Sequence, residues 1–176
     1  KAQSFVQGPR FQQRIEMITQ ERLKELLSYD PLTGVFIWRV DRYRVKAGDR
    51  AGSISPSTGY RVIRVLQKNY GEHRLAWFYM KGEWPLAEID HEDLNRQNNK
   101  WSNLRSATSS QNKTNRRARG AYPKGVSFHK PSWLFTSRIY GSGQQISLGC
   151  FKTAEAAHQA YCAAAPKYHG EFARTA

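Results

Sequence analysis

The fold of this chain is decided by the stretch EIDHEDLNRQNNKWSNLRSATSSQN, residues 88–112. An Asp-His pair, Asp90 and His91, lies near its start, and two well-separated asparagines, Asn103 and Asn112, follow. One interpretation is a surface loop rich in amides. The other is a small metal site, because histidine suits a general base and a carboxylate with an amide oxygen suits Mg²⁺. The spacing alone leaves both interpretations open.

The local pattern indicates how such a site would be built. Successive residues of a strand point to opposite faces, so the Asp-His pair can serve one group only where the backbone bends. Asn103 can close the intervening loop, because one side-chain amide both donates and accepts hydrogen bonds. A helix is predicted to begin at Thr108 or Ser109 and to carry Asn112 back toward the pair.

The charge of the chain indicates which partners to expect. Its 176 residues contain 28 lysines and arginines against 14 acidic residues, a formal net charge of +14. That length allows one domain or two to three small modules. A polyanion releases condensed counterions when it binds such a surface, so nucleic acid is the first candidate partner and an anionic membrane surface the second. An aromatic content of 12% favours a folded protein over a basic disordered tail.

Cysteine content and hydropathy exclude several classes of protein. The chain has two cysteines and no CxxC, so neither a disulfide framework nor a four-cysteine zinc site is expected. The printed N-terminus lacks the apolar core of a signal peptide, and no run approaches the roughly 18 apolar residues of a membrane helix. We therefore expect a cytoplasmic protein without a membrane partner, located in the bacterial host cell if it is of phage or bacterial origin.

Composition along the chain predicts four segments. Residues 1–18 have no clear period and are expected to form a loose arm. Residues 19–69 are predicted to contain a helix that begins at Thr19 and includes Leu27, then strands, as a basic DNA-contacting region. Residues 70–119 hold the quoted stretch, and residues 120–176 form a separate pattern after the Gly120 boundary.

In this order, the groups Asp90-His91, Asn103-Leu104-Arg105 and Asn112 resemble the HNH endonucleases, specifically the His-Asn-Asn variant of phage homing endonucleases. The similarity extends upstream through HRLAWFYMKGEWP and YDPLTGVFIW, and covers roughly residues 19–116. The resemblance implies a ββα-metal fold. It makes His91 the general base, Asp90 and Asn112 the metal ligands, and Asn103 the residue that orders the loop.

The resemblance also indicates the cofactor. Asn112 stands where a second histidine often occurs in this family, which favours a hard cation over zinc. We expect Mg²⁺, with Mn²⁺ tolerated, and no small-molecule cofactor beyond the metal. Since the motif contains no second histidine, a metal-bound water would protonate the leaving group.

The C-terminal segment is predicted to be a three-stranded antiparallel sheet with one helix. Alternating apolar residues, among them Val126, Trp133 and Ile139, fall on one face. A helix is expected to begin after Thr153, to pack its alanines on that face, and to end at Pro166. The other sheet face is polar and carries Ser127, His129, Thr136, Arg138, Gln145 and Ser147.

KGVSF, LGCFKTAEAA and KYHGEFA in this segment resemble the Apetala/ethylene-response-factor type of DNA-binding domain, over roughly residues 122–174. The resemblance implies that the polar sheet face reads DNA in the major groove, with Arg138 as its strongest candidate. The alternative is a small sheet-helix module used only for packing.

Taken together, the sequence predicts an α+β protein with an HNH core followed by the sheet-helix module. The expected activity is that of a homing-type, metal-dependent endonuclease that nicks or cuts double-stranded DNA at a preferred site, as a monomer or homodimer. Further expected DNA contacts are Arg39, Arg42, Arg44, Lys46, Arg105, Lys113, Arg116, Arg117 and Arg119. The alternatives are a non-catalytic DNA-binding regulator, a restriction or host-defence nuclease of the same chemistry, and an RNA-binding protein.

The charge predicts steeply salt-dependent DNA binding. If about six or more phosphates are contacted, affinity should fall by roughly 10³-fold or more between about 50 and 200 mM salt, because each contact releases condensed counterions. Fluorescence anisotropy with a labelled duplex measures this dependence. An affinity that hardly changes over this range would contradict the prediction.

Overall fold

The computed structural model describes residues 18–118, 120–141 and 143–175. Most of the predicted N-terminal arm, residues 1–17, lies outside the described residues. Ile18, which was assigned to that arm, is buried and belongs to the core. No helix in the described part of the chain is long and apolar enough to cross a bilayer.

The N-terminal part begins with a helix and a β-hairpin. Helix α1 (Gln20–Leu26) starts at Thr19, whose hydroxyl accepts a hydrogen bond from the Arg22 N–H, as predicted. Strand β1 (Leu27–Asp30) follows at once and pairs antiparallel with β2 (Val35–Trp38). Leu27 was expected on the helix, and that prediction is wrong, because its backbone pairs with Trp38 across the hairpin.

A second sheet and the longest N-terminal helix follow. Strands β3 (Ser53–Ile54), β4 (Arg61–Val65) and β5 (Lys68–Gly71) form an antiparallel sheet in that order. Helix α2 (Glu72–Lys81) follows and ends at Gly82, whose left-handed conformation closes the last turn. The sequence predicted this ending at Gly82.

The quoted stretch forms a strand-strand-helix unit. Strand β6 (Glu88–His91) pairs antiparallel with β7 (Leu104–Ala107), and helix α3 (Ser109–Thr114) lies against both strands. Thr108 caps α3: its hydroxyl accepts from the Gln111 N–H, and the Gln111 side chain accepts from the Thr108 N–H. Such reciprocal bonds fix where a helix begins, and α3 starts where it was expected.

The C-terminal part contains the predicted sheet and helix. Strands β8 (Val126–His129), β9 (Leu134–Gly141) and β10 (Gln144–Phe151) form an antiparallel sheet with β9 in the centre. Helix α4 (Ala154–His169) packs on this sheet, and the core between them is centred on Ile139, Tyr161 and Ala165.

Two details of this module differ from the prediction. Helix α4 runs through Pro166, although proline supplies no N–H to the ladder. The helix continues because Tyr168 in its last turn packs against the core and the Gly170 N–H donates to the Pro166 carbonyl. Trp133, expected to face inward, is 79% exposed. It adopts a left-handed conformation at the end of a short turn just before β9.

The N-terminal elements and β6 and β7 share one hydrophobic core. Leu23, Phe36 and Leu75 lie at its centre, and Ile89 of β6 and Leu104 of β7 belong to the same cluster. The two strands that carry the quoted motif are therefore packed into the core of the N-terminal elements.

The β1–β2 turn also touches the loop between β6 and β7. The Tyr29 hydroxyl donates to the Asn99 carbonyl at 2.7 Å, and the Trp101 N–H donates to the Pro31 carbonyl at 3.0 Å. Gly34, with φ of +75°, lies so close that a Cβ there would be 2.3 Å from the carbonyl carbon of Asn99. Only glycine fits this contact.

Replacement of Gly34 by alanine should therefore be costly. We expect Gly34→Ala to lower the free energy of unfolding by about 3 kcal/mol or more, because the clash adds to the strain of a positive φ. Gly48→Ala is the control: Gly48 also has a positive φ, +95°, but its Cβ would meet nothing within 4 Å. That variant should lose only about 1 to 2 kcal/mol. Urea unfolding measures both values, and equal losses would contradict the close contact.

Candidate active site

A cleft of about 550 Å³ lies beside β6 and α3. It brings together three of the residues predicted for the site, Asp90, His91 and Asn112. Side chains of a different kind surround them, one aromatic and three basic: Tyr60, Arg96, Arg116 and Arg117. Residues that are up to 58 positions apart in sequence, Tyr60 and Ala118, thus line one basic cavity.

The Asp90 side chain is almost inaccessible to solvent, and its carboxylate is held by several hydrogen bonds. Arg105 donates to Oδ2 from Nε and from Nη2, each at 3.0 Å. Asn115 Nδ2 donates to Oδ1 at 3.1 Å and to Oδ2 at 2.9 Å, and also to the His91 carbonyl at 2.9 Å. A carboxylate has about four lone-pair sites, so Oδ1 is the oxygen with capacity left for a further partner.

Asn115 was missed by the sequence analysis. Its signal was its position three residues after Asn112, since residues three apart lie on neighbouring positions of one helix face. Asn115 directly follows α3, is buried and bonds to Asp90, while Asn112 lines the same cleft as Asp90.

Arg105 was predicted to contact DNA, and in the structure its guanidinium is bonded to other parts of the protein. Its side chain is 15% exposed and is occupied by the ion pair with Asp90. Nη1 also donates to the Glu171 carbonyl at 2.7 Å, and the guanidinium lies 3.9 Å from the centroid of the Phe172 ring. Because these partners come from the far end of the chain, the sequence around Arg105 could not reveal them.

His91 is hydrogen-bonded to the protein interior rather than to the loop surface. Its Nε2 lies 2.9 Å from Asn99 Oδ1, and Asn99 Nδ2 donates to Glu72 Oε2 at 2.6 Å. Burial lowers the pKa of His91 below its ordinary value, although the bond to Asn99 and the charges of Asp93 and Asp90 oppose that shift. The ring is therefore neutral near pH 7 and able to accept a proton.

Neither Glu72 nor Asn99 was singled out from the sequence. Asn99 is one of several asparagines in an amide-rich loop, and nothing local distinguishes it. Glu72 follows directly after a strand and looks like a solvated helix residue, but its side chain is fully buried. Burial raises the pKa of Glu72, while the charges of Arg50 and Arg61 and the bond from Asn99 oppose that rise.

Two aromatic rings also pack near His91. The centroid of the His73 ring lies 5.4 Å from that of His91, and the centroid of the Tyr60 ring lies 5.8 Å from it. Burial, together with the charges of His91 and Arg74, lowers the pKa of His73 to about 3. His73 is therefore uncharged at neutral pH and packs against His91.

Asn103 bonds across the base of the loop between β6 and β7. Its Oδ1 accepts from the Asp93 N–H at 3.0 Å, and its Nδ2 donates to the Asn98 carbonyl at 2.8 Å and to Asp93 Oδ1 at 3.0 Å. The amide both donates and accepts, which draws the two ends of the loop together. Asn103 itself is not among the residues that line the cleft.

The oxygen atoms of the cleft fit a hard cation. Asn112 Nδ2 donates to Glu88, so its Oδ1 is the atom that can bind a metal, beside the Asp90 carboxylate. Mg²⁺ takes few protein ligands and keeps several waters, which matches one carboxylate and one amide oxygen. Among the described residues, no group of three or more His, Cys, Asp and Glu side chains is arranged to hold a metal ion.

The predicted basic contacts are placed in two groups. Arg39, Arg42, Arg44 and Lys46 are exposed on the N-terminal part, where Lys46 is paired with Asp41 at 2.9 Å. Lys113, Arg116 and Arg117 are exposed at and beyond the end of α3. Arg119 lies outside the described residues.

On the C-terminal sheet, most of the predicted polar positions are exposed: Ser127, His129, Arg138, Gln145 and Ser147. Thr136 is the exception: it is 8% exposed, and its hydroxyl bonds to Ser127 Oγ at 2.8 Å. A second cleft of about 800 Å³ places Arg138 and Gln145 beside Lys113 of α3.

Comparison with known families identifies the central part of the chain. Residues 70–114 match the family model described as HNH endonuclease. This range contains the predicted site residues Asp90, His91, Asn103 and Asn112 as well as Glu72 and Asn99. Neither the curated proteins nor the solved structures include a match to this chain. An HNH endonuclease domain at 70–114 suggests a nuclease with DNA as its substrate.

The lowered pKa of His73 predicts a loss of stability in acid. The unfolded chain binds a proton at His73 near pH 6.5 and the folded chain only near pH 3, so the unfolded state binds more protons between these values. The free energy of unfolding should therefore fall as pH is lowered from about 7 to about 5.

His73→Phe keeps an aromatic ring in place and removes the titrating group. We expect its free energy of unfolding, measured by urea titration, to fall less between about pH 7 and 5 than that of the native chain. His91 contributes to the remaining dependence in the same direction, since its pKa is also lowered. Identical pH dependence of the two proteins would contradict the prediction.

Proposed function

We propose that this chain is a metal-dependent, homing-type HNH endonuclease that hydrolyses phosphodiester bonds of double-stranded DNA at a preferred site. The observation that carries this proposal is the meeting of Asp90, His91 and Asn112 in one basic cleft within the HNH-matched residues. A general base, two oxygen ligands and basic side chains are what phosphodiester hydrolysis at neutral pH requires.

In this proposal His91 is the general base. It removes a proton from a water molecule whose oxygen attacks phosphorus, while the bond from phosphorus to the leaving oxygen breaks and that oxygen is protonated by solvent. Burial keeps His91 neutral, so it can accept the proton near pH 7. Packing against His73 and the bond to Asn99 hold the ring still.

Asp90 and Asn112 are the proposed metal ligands, with Mg²⁺ preferred and Mn²⁺ tolerated. When bound there, the cation would stabilise negative charge on the leaving oxygen as a Lewis acid. Arg105 and Asn115 fix the Asp90 carboxylate in position, and Asn103 holds the loop that connects the two strands.

In this proposal DNA contacts three parts of the protein: the cleft, the N-terminal part and the C-terminal sheet. Arg116 and Arg117 line the cleft and would contact phosphates next to the cut, with Lys113 beyond them. The exposed arginines of the N-terminal part would extend the contact to Arg39, Arg42 and Arg44. The exposed C-terminal face, with Arg138 and Gln145 as its largest polar side chains, would read bases in the manner of the Apetala-type domain it resembles.

One observation favours a second candidate, a DNA-binding regulator that does not cleave. Both oxygens of Asp90 already accept hydrogen bonds from Arg105 or Asn115, and these compete with a cation for the carboxylate. A regulator would keep the same binding surface and would not need a metal. A restriction or host-defence nuclease would share the catalytic groups, and sensitivity to DNA methylation distinguishes it.

A supercoiled-plasmid assay in Mg²⁺ tests the nuclease. The native chain should produce open circles or linear DNA, and His91→Ala should slow this by about 10²-fold or more, because the base is removed. Binding of the same DNA by His91→Ala, measured without metal, should be unchanged, since the neutral ring carries no charge to the phosphates.

A plasmid that lacks the preferred site would not be cut. The assay is therefore repeated on phage and bacterial genomic DNA. Tight binding with no cleavage of any of these substrates would favour the regulator. Open circles would show nicking, and linear DNA at early times would show cleavage of both strands.

A further inference from the structure

We propose that Glu72 and Asn99 are positioning residues that hold His91 in a single tautomer, with its proton on Nε2 and with Nδ1 as the basic nitrogen. The inference rests on the proposed nuclease function, for which it names the atom that takes the proton from water. It assigns roles to two residues that the Asp-His, Asn, Asn pattern does not contain.

Glu72, Asn99 and His91 are joined by two hydrogen bonds, and the carboxylate of Glu72 determines which atom donates in each. An ionised carboxylate can only accept, so Glu72 Oε2, 2.6 Å from Asn99 Nδ2, receives its proton from the amide nitrogen. This turns Asn99 Oδ1 toward His91. An amide oxygen also only accepts, so His91 Nε2, at 2.9 Å, must carry the hydrogen.

The opposite orientation of the amide is disfavoured by the same rule. A flipped Asn99 would place its oxygen against the Glu72 carboxylate, and two acceptors would then face each other without a proton between them. Arg61 Nε lies 3.7 Å from Glu72 Oε2 and favours the charged carboxylate. Glu72 is 0% exposed and Asn99 is 1% exposed, so water is poorly placed to relieve the repulsion.

Asn99 is also prevented from moving away. The Tyr29 hydroxyl holds its carbonyl, and Gly34 packs directly against its backbone. The amide can therefore change its bonds only by rotating, which the Glu72 carboxylate opposes. The β1–β2 hairpin thus influences the tautomer of His91 indirectly, because it holds Asn99 in place.

The tautomer matters because a general base needs a lone pair directed at its water. Nε2 points to buried Asn99, while His91 also lines the cleft. Nδ1 is the ring nitrogen that remains for the water. A ring protonated at Nδ1 would present an N–H to that water and could not take its proton.

Glu72→Gln is the most direct test, because it keeps the shape and replaces a group that only accepts with an amide that can also donate. It also removes the negative charge of the carboxylate, which the control has to match. A glutamine amide can donate to Asn99 Oδ1, which allows Asn99 to rotate and present its nitrogen to His91. We expect the metal-free native chain to show His91 with the proton on Nε2, and Glu72→Gln to show both tautomers, in ¹H–¹⁵N spectra of histidine-labelled protein near neutral pH. Plasmid cleavage should slow by about 10- to 100-fold with DNA binding unchanged.

Glu92→Gln is the matched control, since Glu92 is exposed and next to His91. It removes the same charge and should leave both the tautomer and the cleavage rate as in the native chain. If Glu72→Gln does not fold, Asn99→Leu tests the same bonds, because it keeps the size of the side chain and removes both polar groups. It should also show both tautomers.

Three outcomes would overturn the inference. One is a native His91 with its proton on Nδ1. Another is a folded Glu72→Gln, or in its place a folded Asn99→Leu, that keeps the native tautomer. The third is equal cleavage loss in Glu72→Gln and Glu92→Gln. The spectra do not depend on cleavage, so an inactive native chain with its proton on Nε2 would refute the nuclease and leave the tautomer assignment standing.

Discussion

The buried Asp90 carboxylate is the constraint on which the arrangement of this molecule depends. A charge that is 3% exposed is very unfavourable unless it is paired and hydrogen-bonded. Arg105 and Asn115 supply the pairing, one from β7 and the other just after α3, so the two strands and the helix are fixed around one group. Removing Arg105 would leave an uncompensated buried charge, which usually costs about 3 to 5 kcal/mol.

The N-terminal part also holds the loop between β6 and β7, which carries Asn99. The sequence predicted this part as a basic DNA-contacting region. The structure shows that it also makes buried contacts with the loop between β6 and β7. Tyr29, Pro31 and Gly34 bind or pack against residues 99–101. Because Glu72 at the start of α2 bonds to Asn99, the elements before the motif determine the shape of the loop within it.

The features that the sequence predicted correctly are those that local chemistry determines. Thr19 and Thr108 cap helices through bonds to residues three positions away, and Gly82 ends α2 by its own backbone conformation. The meeting of Asp90, His91 and Asn112 was expected from a predicted helix that returns Asn112 to the Asp-His pair, and from the resemblance to a family. The intramolecular contacts of Arg105 could not be predicted, because its partner Glu171 is 66 positions away. The burial of Thr136 could not be predicted, because strand alternation does not reveal that its hydroxyl bonds to Ser127 on the neighbouring strand.

Arg105 also connects the C-terminal module to the cleft that contains Asp90. The Arg105 guanidinium pairs with Asp90, donates to the Glu171 carbonyl and stacks on Phe172. It therefore joins the proposed metal ligand Asp90 to the segment after α4. The second cleft adds a nearby contact surface, where Lys113 of α3 faces Arg138 and Gln145 of the sheet. Under the proposed function, a module that reads DNA is held against the group that would bind the metal. The separation between the bases that are read and the bond that is cut would then be set by the packing of Arg105.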